Sequence, residues 1–382
     1  MKSFKMNGLG RLFSFVLIAI ILVCTVGFAV GGLQSSEAPD TNNSGDIGNN
    51  TENTDEDTDQ SLNNTDNTTK EDENETDAVE PTVPESPPVK YYNTITGVEI
   101  SENESRNAPI GVVLDPSMPL YGISNSDISF EFPLENGKTR LLSYITNHSA
   151  LWKIGSLVPT RSFISFTSNF IGGIVVSYGN DDIVKYSAWD ASRIDLDISE
   201  ISDCYYAENT LYVYTSKDMI DSACLNKEVS DICEYKTPPF NFSDEPVSGT
   251  KDAKSVKIPY SDGNETDFIY SHESNKYLFF KAGARKVDML NGKNIAYTNL
   301  FILFANTTTY ETHNGCELVL DNISGGSGFY ISGGQASEIK WSVNDAGELE
   351  FKGLNGEKLS VNRGNSYVGY FKASEALKVK IS

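Results

Sequence analysis

The chain has 382 residues, enough for two domains with a sizeable core, and its formal net charge at pH 7 is −23. This acidic balance disfavours nucleic acid as a partner, because binding to a phosphate backbone depends on clustered lysine and arginine. The sequence has no glycine-rich phosphate loop between a strand and a helix, and its three histidines give little support to a metal site, so we expect no cofactor and no metal.

The N-terminal segment has the pattern of a membrane-targeting helix. Residues 12–33 are 22 residues without a charge, preceded by three basic residues. At about 1.5 Å per residue, such a helix crosses roughly 30 Å of hydrocarbon. The basic flank predicts that the rest of the chain lies outside the cell membrane. Two alternatives remain open: a single-pass signal anchor, or a cleaved signal peptide with the small residues Gly27 and Ala29 near the cut, which would release the protein.

Residues 34–90 form an acidic linker rich in Asn and Thr. This stretch holds sixteen Asp and Glu against two Lys, and it has too few apolar residues to offset the entropy of ordering, so we expect it to be disordered. In an exported chain, Asn-x-Ser/Thr triplets are potential glycosylation sites. They occur at Asn42, Asn49, Asn63, Asn67, Asn74, Asn103, Asn147, Asn241, Asn264, Asn306 and Asn322.

A β-hairpin is predicted early in the folded part. Residues 110–114 are a continuous apolar run, typical of a buried strand. Residues 128–132 alternate apolar and polar, and a Glu-Asn-Gly turn separates them from a returning strand at residues 139–145. The polar face of this hairpin carries Glu131, with Arg140 as its expected neighbour.

The next segments add helices to the strands. Aromatic residues at helical spacing predict a helix over residues 163–170, and an apolar strand follows at residues 172–178. A short strand at residues 211–215 precedes a helix for which Thr215 and Asp218 supply a capping pattern. Beyond residue 255 the sequence pattern changes to short predicted strands separated by glycine turns, which is typical of an antiparallel sheet.

These patterns predict an α+β fold with a mixed α/β N-terminal lobe and a mostly antiparallel β C-terminal lobe, behind a transmembrane segment and a disordered linker. The predicted parts are residues 1–33 (signal anchor or signal peptide), 34–90 (linker), 91–246 (N-terminal lobe) and 255–382 (C-terminal lobe). Cys224 and Cys233 could close a short disulfide loop in an oxidising compartment, or the cysteines could remain buried thiols.

The succession of motifs resembles the YerB-like lipoprotein family, which is defined by a two-part domain of unknown function. The resemblance covers roughly residues 91–382. The motifs that carry it are APIGVVLD, GISNSDISFE, ENGKTR, KIGSLVPTR and VSYGN in the first lobe, and YLFFKAGARKVDMLNGKNIAYTN, GGSGFYISGG, EIKW and LNGEKLSVNRGNSYVG in the second. The resemblance implies the two-lobed fold and no established activity.

The chain departs from the family pattern at three positions. Val158 stands where the family has the first of two arginines, and only Arg161 remains. Ser177 or Tyr178, and Lys286, stand where the family tends to have histidine. If those side chains bind a ligand in relatives, part of the site is altered here.

The functional prediction is a membrane-anchored extracytoplasmic protein of unknown function that binds a cell-envelope component, such as a cell-wall or surface-layer component. The alternative is an envelope glycan hydrolase that uses two carboxylates as acid and base, with an arginine orienting an anionic substrate. The candidate ligand-binding residues are Asp115, Asp127, Glu131, Glu135, Arg140 and Arg161. No catalytic residue is assigned.

Overall fold

A computed structural model describes residues 89–180, 194–207, 212–228, 240–312, 315–321 and 325–382. The predicted membrane segment, the linker up to residue 88 and Cys233 lie outside these ranges. Within them, no helix is both long enough and apolar enough to cross a membrane. Contacts place both predicted lobes in one compact unit, Val83–Ser382.

The described residues of the first lobe form three α-helices and eleven short strands. The helices are α1 (Glu102–Ser105), α2 (Ser162–Ser168) and α3 (Lys217–Asn226). The strands are β1 (Tyr91–Tyr92), β2 (Glu99–Ile100), β3 (Ile110–Leu114), β4 (Ile128–Pro133), β5 (Thr139–Ile145), β6 (Ile154–Gly155), β7 (Ile174–Ser177), β8 (Ile194–Asp197), β9 (Tyr206–Ala207), β10 (Val213–Thr215) and β11 (Asn241–Ser243).

In the second lobe, the residues that the structure describes form strands and turns, with a 3₁₀ segment at Ala373–Lys378. Its strands are β12 (Lys251–Asp252), β13 (Ser255–Pro259), β14 (Glu265–Ser271), β15 (Lys276–Lys281), β16 (Ala284–Arg285), β17 (Ala296–Tyr297), β18 (Asn299–Thr312), β19 (Gly315–Asp321), β20 (Gly326–Ser332), β21 (Gln335–Val343), β22 (Leu349–Gly353), β23 (Ser360–Asn362), β24 (Ser366–Lys372) and β25 (Lys380–Ile381).

A twelve-stranded central sheet passes through both lobes. Its order is β12, β21, β20, β18, β24, β4, β5, β3, β7 and β8, with β19 beside β18 and β22 beside β21. The lobes meet where β24 pairs with β4 in parallel, in the register Val368 to Phe130. Backbone hydrogen bonds therefore join the lobes directly, and one continuous sheet extends through both of them.

Both faces of the central sheet are covered. On one face, Tyr367 packs against Phe268 of a second sheet made of β16, β15, β14, β13 and β25, with β17 beside β15; the ring centroids are 4.6 Å apart. On the other face, Phe132 packs against Phe163 of α2 at 5.0 Å. Burial of one such aromatic side chain stabilises the fold by about 1.5 to 3 kcal/mol. The sheet is therefore the middle layer of the domain.

The predicted hairpin is present as β4 and β5. Asn136 and Gly137 both have positive φ, at 59° and 69°, which suits the Asn-Gly turn between these strands. However, every residue of β4 is buried, including its polar positions, because each face of the sheet is covered by another layer. Arg140 lies opposite Phe132 while Glu131 lies opposite Leu141, so Glu131 and Arg140 point to opposite faces and are not neighbours.

The fold is mostly β, which confirms the sheet-rich part of the prediction. The helix after β10 has Ser216 as its N-cap, with the hydroxyl accepting from the Met219 N–H at 3.2 Å; Thr215, the predicted cap, is the last residue of the preceding strand. In the second lobe the pairing is largely antiparallel, but β24 pairs in parallel with both β18 and β4. That parallel pairing carries the sheet from one lobe into the other.

Candidate functional site

The candidate site lies at one edge of the central sheet. Strands β3, β4 and β7 run in the same direction, so their carboxyl ends meet at this edge. Ligands of open α/β sheets bind outside the carboxyl ends of the strands, so a ligand-binding site is expected at such an edge. The segment 157–161 crosses it, with the Val158 N–H donating to the Val113 carbonyl at 3.1 Å and its carbonyl accepting from the Tyr178 N–H at 3.2 Å.

Asp115 and Arg140 form the first ion pair at this edge. The Asp115 Oδ2 lies 3.8 Å from an Arg140 terminal nitrogen, and Arg140 Nε donates to the Pro159 carbonyl at 3.4 Å. Asp115 also accepts from the backbone N–H and the hydroxyl of Ser117, at 2.9 and 2.6 Å. Asp115 therefore closes the turn after β3 and at the same time faces an arginine.

Arg161 forms the second and tighter pair. Its two terminal nitrogens lie 2.7 and 3.3 Å from the two carboxylate oxygens of Glu135, and one of them lies 3.6 Å from Glu317 of β19. Burial on its own would raise the pKa of Glu135, but the hydrogen bonds and charge of Arg161, together with hydrogen bonds from backbone N–H groups, lower that pKa below its ordinary value. Arg161 thus joins the turn after β4 to the second lobe through its contacts with Glu135 and Glu317.

We call Asp115, Glu135, Arg140, Arg161 and Glu317 the carboxyl-end cluster. Four of the six predicted ligand-binding residues belong to it, and the fifth member, Glu317, was not predicted. The Glu317 residue is 3% exposed and lies in β19 beside the buried Leu318. Its partner lies far away in sequence, so no local pattern pointed to it.

The positions at which the chain departs from the family pattern also fall at this edge. Val158 lies between the ends of β3 and β7, and Tyr178 directly follows β7. The Lys286 ammonium donates to the Met118 carbonyl at 2.8 Å; burial lowers its pKa, and the nearby Asp115 partly opposes this. The altered positions and the carboxyl-end cluster therefore occupy the same region of the fold.

Glu131 is not part of the cluster. It is fully buried between the two sheets, where Lys281 donates to it at 2.8 Å, Tyr367 at 2.6 Å and Thr266 at 2.9 Å. Lys281 also donates to the Thr266 hydroxyl at 3.1 Å. A buried charge pair of this kind is held by its own hydrogen bonds and has no surface for a ligand. We call Glu131, Thr266, Lys281 and Tyr367 the buried network.

Asp127 lies at the opposite end of β4. It accepts from the Thr146 N–H at 2.6 Å and from the Asn93 side chain at 3.0 Å, and burial raises its pKa despite these hydrogen bonds. A strand as long as β4 spans roughly 20 Å at about 3.3 Å per residue, so Asp127 lies too far from Arg161 to pair with it. Its role in the fold is to pin the segment around Asn93 to the sheet.

Asp288 also connects the two lobes. It accepts from the Leu290 N–H of its own turn, and it also accepts from the N–H groups of Gly122 and Ser124 at 2.9 Å each. The carboxylate is fully buried. The sequence does not predict this contact, because the partner backbone lies in the other lobe.

The carboxyl-end cluster is better suited to binding a charged group than to transferring protons. Both terminal nitrogens of Arg161 donate hydrogen bonds to the Glu135 carboxylate. Arginine commonly binds carboxylate or phosphate groups in this bidentate geometry. Glu135 stays ionised at neutral pH, which makes it a poor proton donor.

Among the described residues, no group of three or more His, Cys, Asp or Glu could hold a metal ion. Cys224 is buried, and its predicted pairing with Cys233 stays a prediction.

The fold and this site define a class: a sheet-rich, two-lobed domain whose lobes share one central sheet. The sequence model described as the C-terminal domain of a protein of unknown function (DUF3048) matches residues 256–368. The crystal structure of YerB protein from Bacillus subtilis superposes with a TM-score of 0.67 at 22% identity, covering 77% of this chain and 100% of that one. No curated protein matches the chain. Residues 256–368 are therefore similar to a domain of unknown function, and the fold is similar to that of YerB protein, in agreement with the resemblance that the sequence predicted.

Proposed function

We propose that the protein is an extracytoplasmic binding protein, anchored by residues 12–33, whose ligand is a component of the cell envelope and binds at the carboxyl-end cluster. The observation that carries this proposal is the way Arg161 holds Glu135. A guanidinium with both terminal nitrogens on a carboxylate can exchange that partner for a carboxylate or phosphate group of a ligand. The pair lies near the surface, with side-chain exposures of 9% and 22%.

The envelope location is supported by the sequence. A charge-free segment with a basic flank precedes the acidic linker, and this order is typical of an exported domain held away from a membrane. A binding role fits a domain in which each candidate carboxylate is already engaged. Asp115 and Glu135 face arginines, Glu131 faces Lys281, and Asp127 accepts two hydrogen bonds.

The hydrolase alternative has less support from the geometry. Glycan hydrolysis needs one carboxyl group held protonated and a second, ionised one a few ångströms away across the substrate. Asp127 is the candidate whose pKa burial raises, but it lies at the other end of β4 from Glu135 and Arg161. The carboxyl group with the raised pKa and the ionised carboxylate are therefore at different ends of β4.

The binding proposal is tested by capture of envelope material on the immobilised full chain in mild detergent. We expect the wild type to retain an anionic glycan or protein from the envelope fraction, and Arg161→Ala to lose at least about tenfold in retention. The matched control is Arg106→Ala, which removes an arginine from an ion pair with Glu102 that is 71% and 54% exposed. Circular dichroism verifies that each variant is folded.

Three outcomes separate the alternatives. Retention lost in Arg161→Ala but kept in Arg106→Ala supports the proposal. Equal retention by all three proteins contradicts the cluster as the binding site, and no retention by the wild type contradicts the binding role. Release of new reducing ends from envelope glycan by the wild type would instead favour the hydrolase.

A further inference from the structure

The Asn-x-Ser/Thr triplets of the folded part differ in how accessible their asparagines are. Six triplets follow the linker, and the structure describes five of these asparagines. Asn264 is half-buried and its side chain donates to the Gly137 carbonyl, while the side chain of Asn147 donates to Glu104 at 3.0 Å. The other three are exposed, and their side chains make no hydrogen bond to any residue that the structure describes. These three are Asn103, Asn241 and Asn306.

N-glycosylation uses both polar side chains of such a triplet. The asparagine supplies the amide nitrogen that becomes attached to the sugar, and the hydroxyl residue two positions later completes the motif. A folded acceptor site must therefore present both side chains on one accessible surface. In a β-strand, residues two apart point to the same face, whereas in an α-helix they do not face the same side. An exposed strand is thus better suited to this modification than a helix.

Of the three free asparagines, Asn306 meets this requirement best. Asn306 and Thr308 both lie in β18, both are exposed, and the Thr308 hydroxyl has no hydrogen-bond partner within the described part of the chain. At the other two triplets the hydroxyl is already engaged. The Ser105 hydroxyl donates to a backbone carbonyl of its own helix α1 at 2.7 Å, and the Ser243 hydroxyl accepts from a nearby backbone N–H at 3.2 Å.

Asn306 also lies where one edge of β18 becomes open. The pairing of β18 with β24 ends with Lys372 opposite Ala305, and its pairing with β20 ends at Leu303. From Asn306 to Thr312, β19 is the single strand that pairs with β18 among the described strands. The 3₁₀ segment that follows β24 makes no backbone hydrogen bond to β18. The second edge of β18 over residues 306–312 therefore has free backbone N–H and C=O groups.

An open strand edge can pair with a strand of another chain. Lysine and proline commonly block such pairing, and residues 306–312 contain neither. They contain four threonines and the 52% exposed Tyr310, residue types that favour strands. A bulky, hydrophilic glycan at the first residue of this edge would hinder the approach of a second strand.

We infer that Asn306 carries an N-linked glycan that shields the open edge of β18. In this modification, the Asn306 amide nitrogen forms a bond to C1 of a sugar that is carried on a phosphate-linked lipid donor. The bond between C1 and the phosphate oxygen breaks, the lipid phosphate leaves with the bonding electrons, and the amide loses one proton. The inference rests on the extracytoplasmic location in the proposed function, but it does not depend on the carboxyl-end cluster.

The test is mass spectrometry of glycopeptides from the full-length protein, purified from its own cells in mild detergent. We expect the Asn306 peptide to carry sugar mass, and the Asn103 and Asn264 peptides to carry none. Asn306→Gln should lose that mass. It should also self-associate at a protein concentration at least tenfold lower than the wild type does, as measured by analytical ultracentrifugation, because the edge is then uncovered.

The matched control is Asn103→Gln, which makes the same substitution at an exposed asparagine whose side chain is equally free. It should keep the sugar mass on Asn306 and self-associate as the wild type does. An Asn306 peptide without sugar would overturn the inference, and so would equal sugar occupancy at Asn306 and Asn264. A glycan at Asn306 whose loss leaves self-association unchanged would overturn the shielding role.

A separate measurement distinguishes this inference from the proposed function. Protease added to intact cells should cut the folded domain if it lies outside the membrane. A domain that resists the protease contradicts the location, whereas a domain that is cut but has no sugar on Asn306 contradicts the glycan alone. Arg161→Ala should keep the glycan, so a failure of the carboxyl-end cluster as a binding site leaves this result unchanged.

Discussion

Two groups of charged residues join the lobes of this protein, and they differ in how far water reaches them. In the buried network, the side chains of Lys281 and Glu131 are 1% and 0% exposed. In the carboxyl-end cluster, those of Arg161 and Glu135 are 9% and 22% exposed. A charge sealed between two sheets can serve only the fold, whereas a charge at the open edge of a sheet can also meet a ligand. This difference, more than the number of charges, separates structural from functional candidates.

The largest expected effect comes from breaking the buried pair. Lys281→Met leaves the Glu131 carboxylate buried without its cation, and we expect a loss of about 3 to 5 kcal/mol in the free energy of unfolding, measured by chemical denaturation. The double variant Glu131→Gln with Lys281→Met should recover much of this loss, because no charge remains while Thr266 and Tyr367 can still donate to the amide. Equal losses in the single and double variants would show that packing, and not charge, dominates.

A smaller effect is expected from Glu135→Gln in the cluster. Since Arg161 lowers the pKa of Glu135 below its ordinary value of 4.5, the pair stabilises the fold above that value, and the contribution is lost as the pH falls through the lowered pKa. We expect a difference from the wild type of about 1 to 2 kcal/mol at pH 7 that shrinks below about pH 4.5. Unfolding curves over pH 3 to 7 measure it; a difference that stays constant with pH would contradict the ion-pair explanation.

The hairpin and the strand pattern could be predicted from the sequence because they depend on local rules. Alternation over residues 128–132 and the Asn136-Gly137 turn determine β4 and β5 without any distant contact. The exposure of the polar face could not be predicted in the same way. A second sheet covers it, and that sheet begins more than one hundred residues later in the chain.

The partner of Glu131 did leave a signal in the sequence. In β15, Tyr277, Phe279 and Lys281 share one buried face, so a lysine stands in phase with two aromatic residues. A charge at an inward position of an alternating strand requires a buried counter-charge. Glu131 holds the corresponding inward position in β4. The pairing of the two could not be derived, because no local rule says which of two separated strands will face each other.

The smallest loss of stability is expected from a substitution at Asp115. This residue tests most directly whether a charge at the open edge of the sheet acts on folding or on a ligand. Asp115→Asn removes the charge opposite Arg140 but keeps an oxygen for the Ser117 N–H, so the loss should be below about 1 kcal/mol. At a separation of 3.8 Å near solvent, the ion pair itself contributes little to folding. If Asp115→Asn nevertheless changes the capture of envelope material several-fold in the assay used for Arg161→Ala, the charge at this edge acts on a ligand. If both capture and unfolding are unchanged, Asp115 serves only the turn after β3.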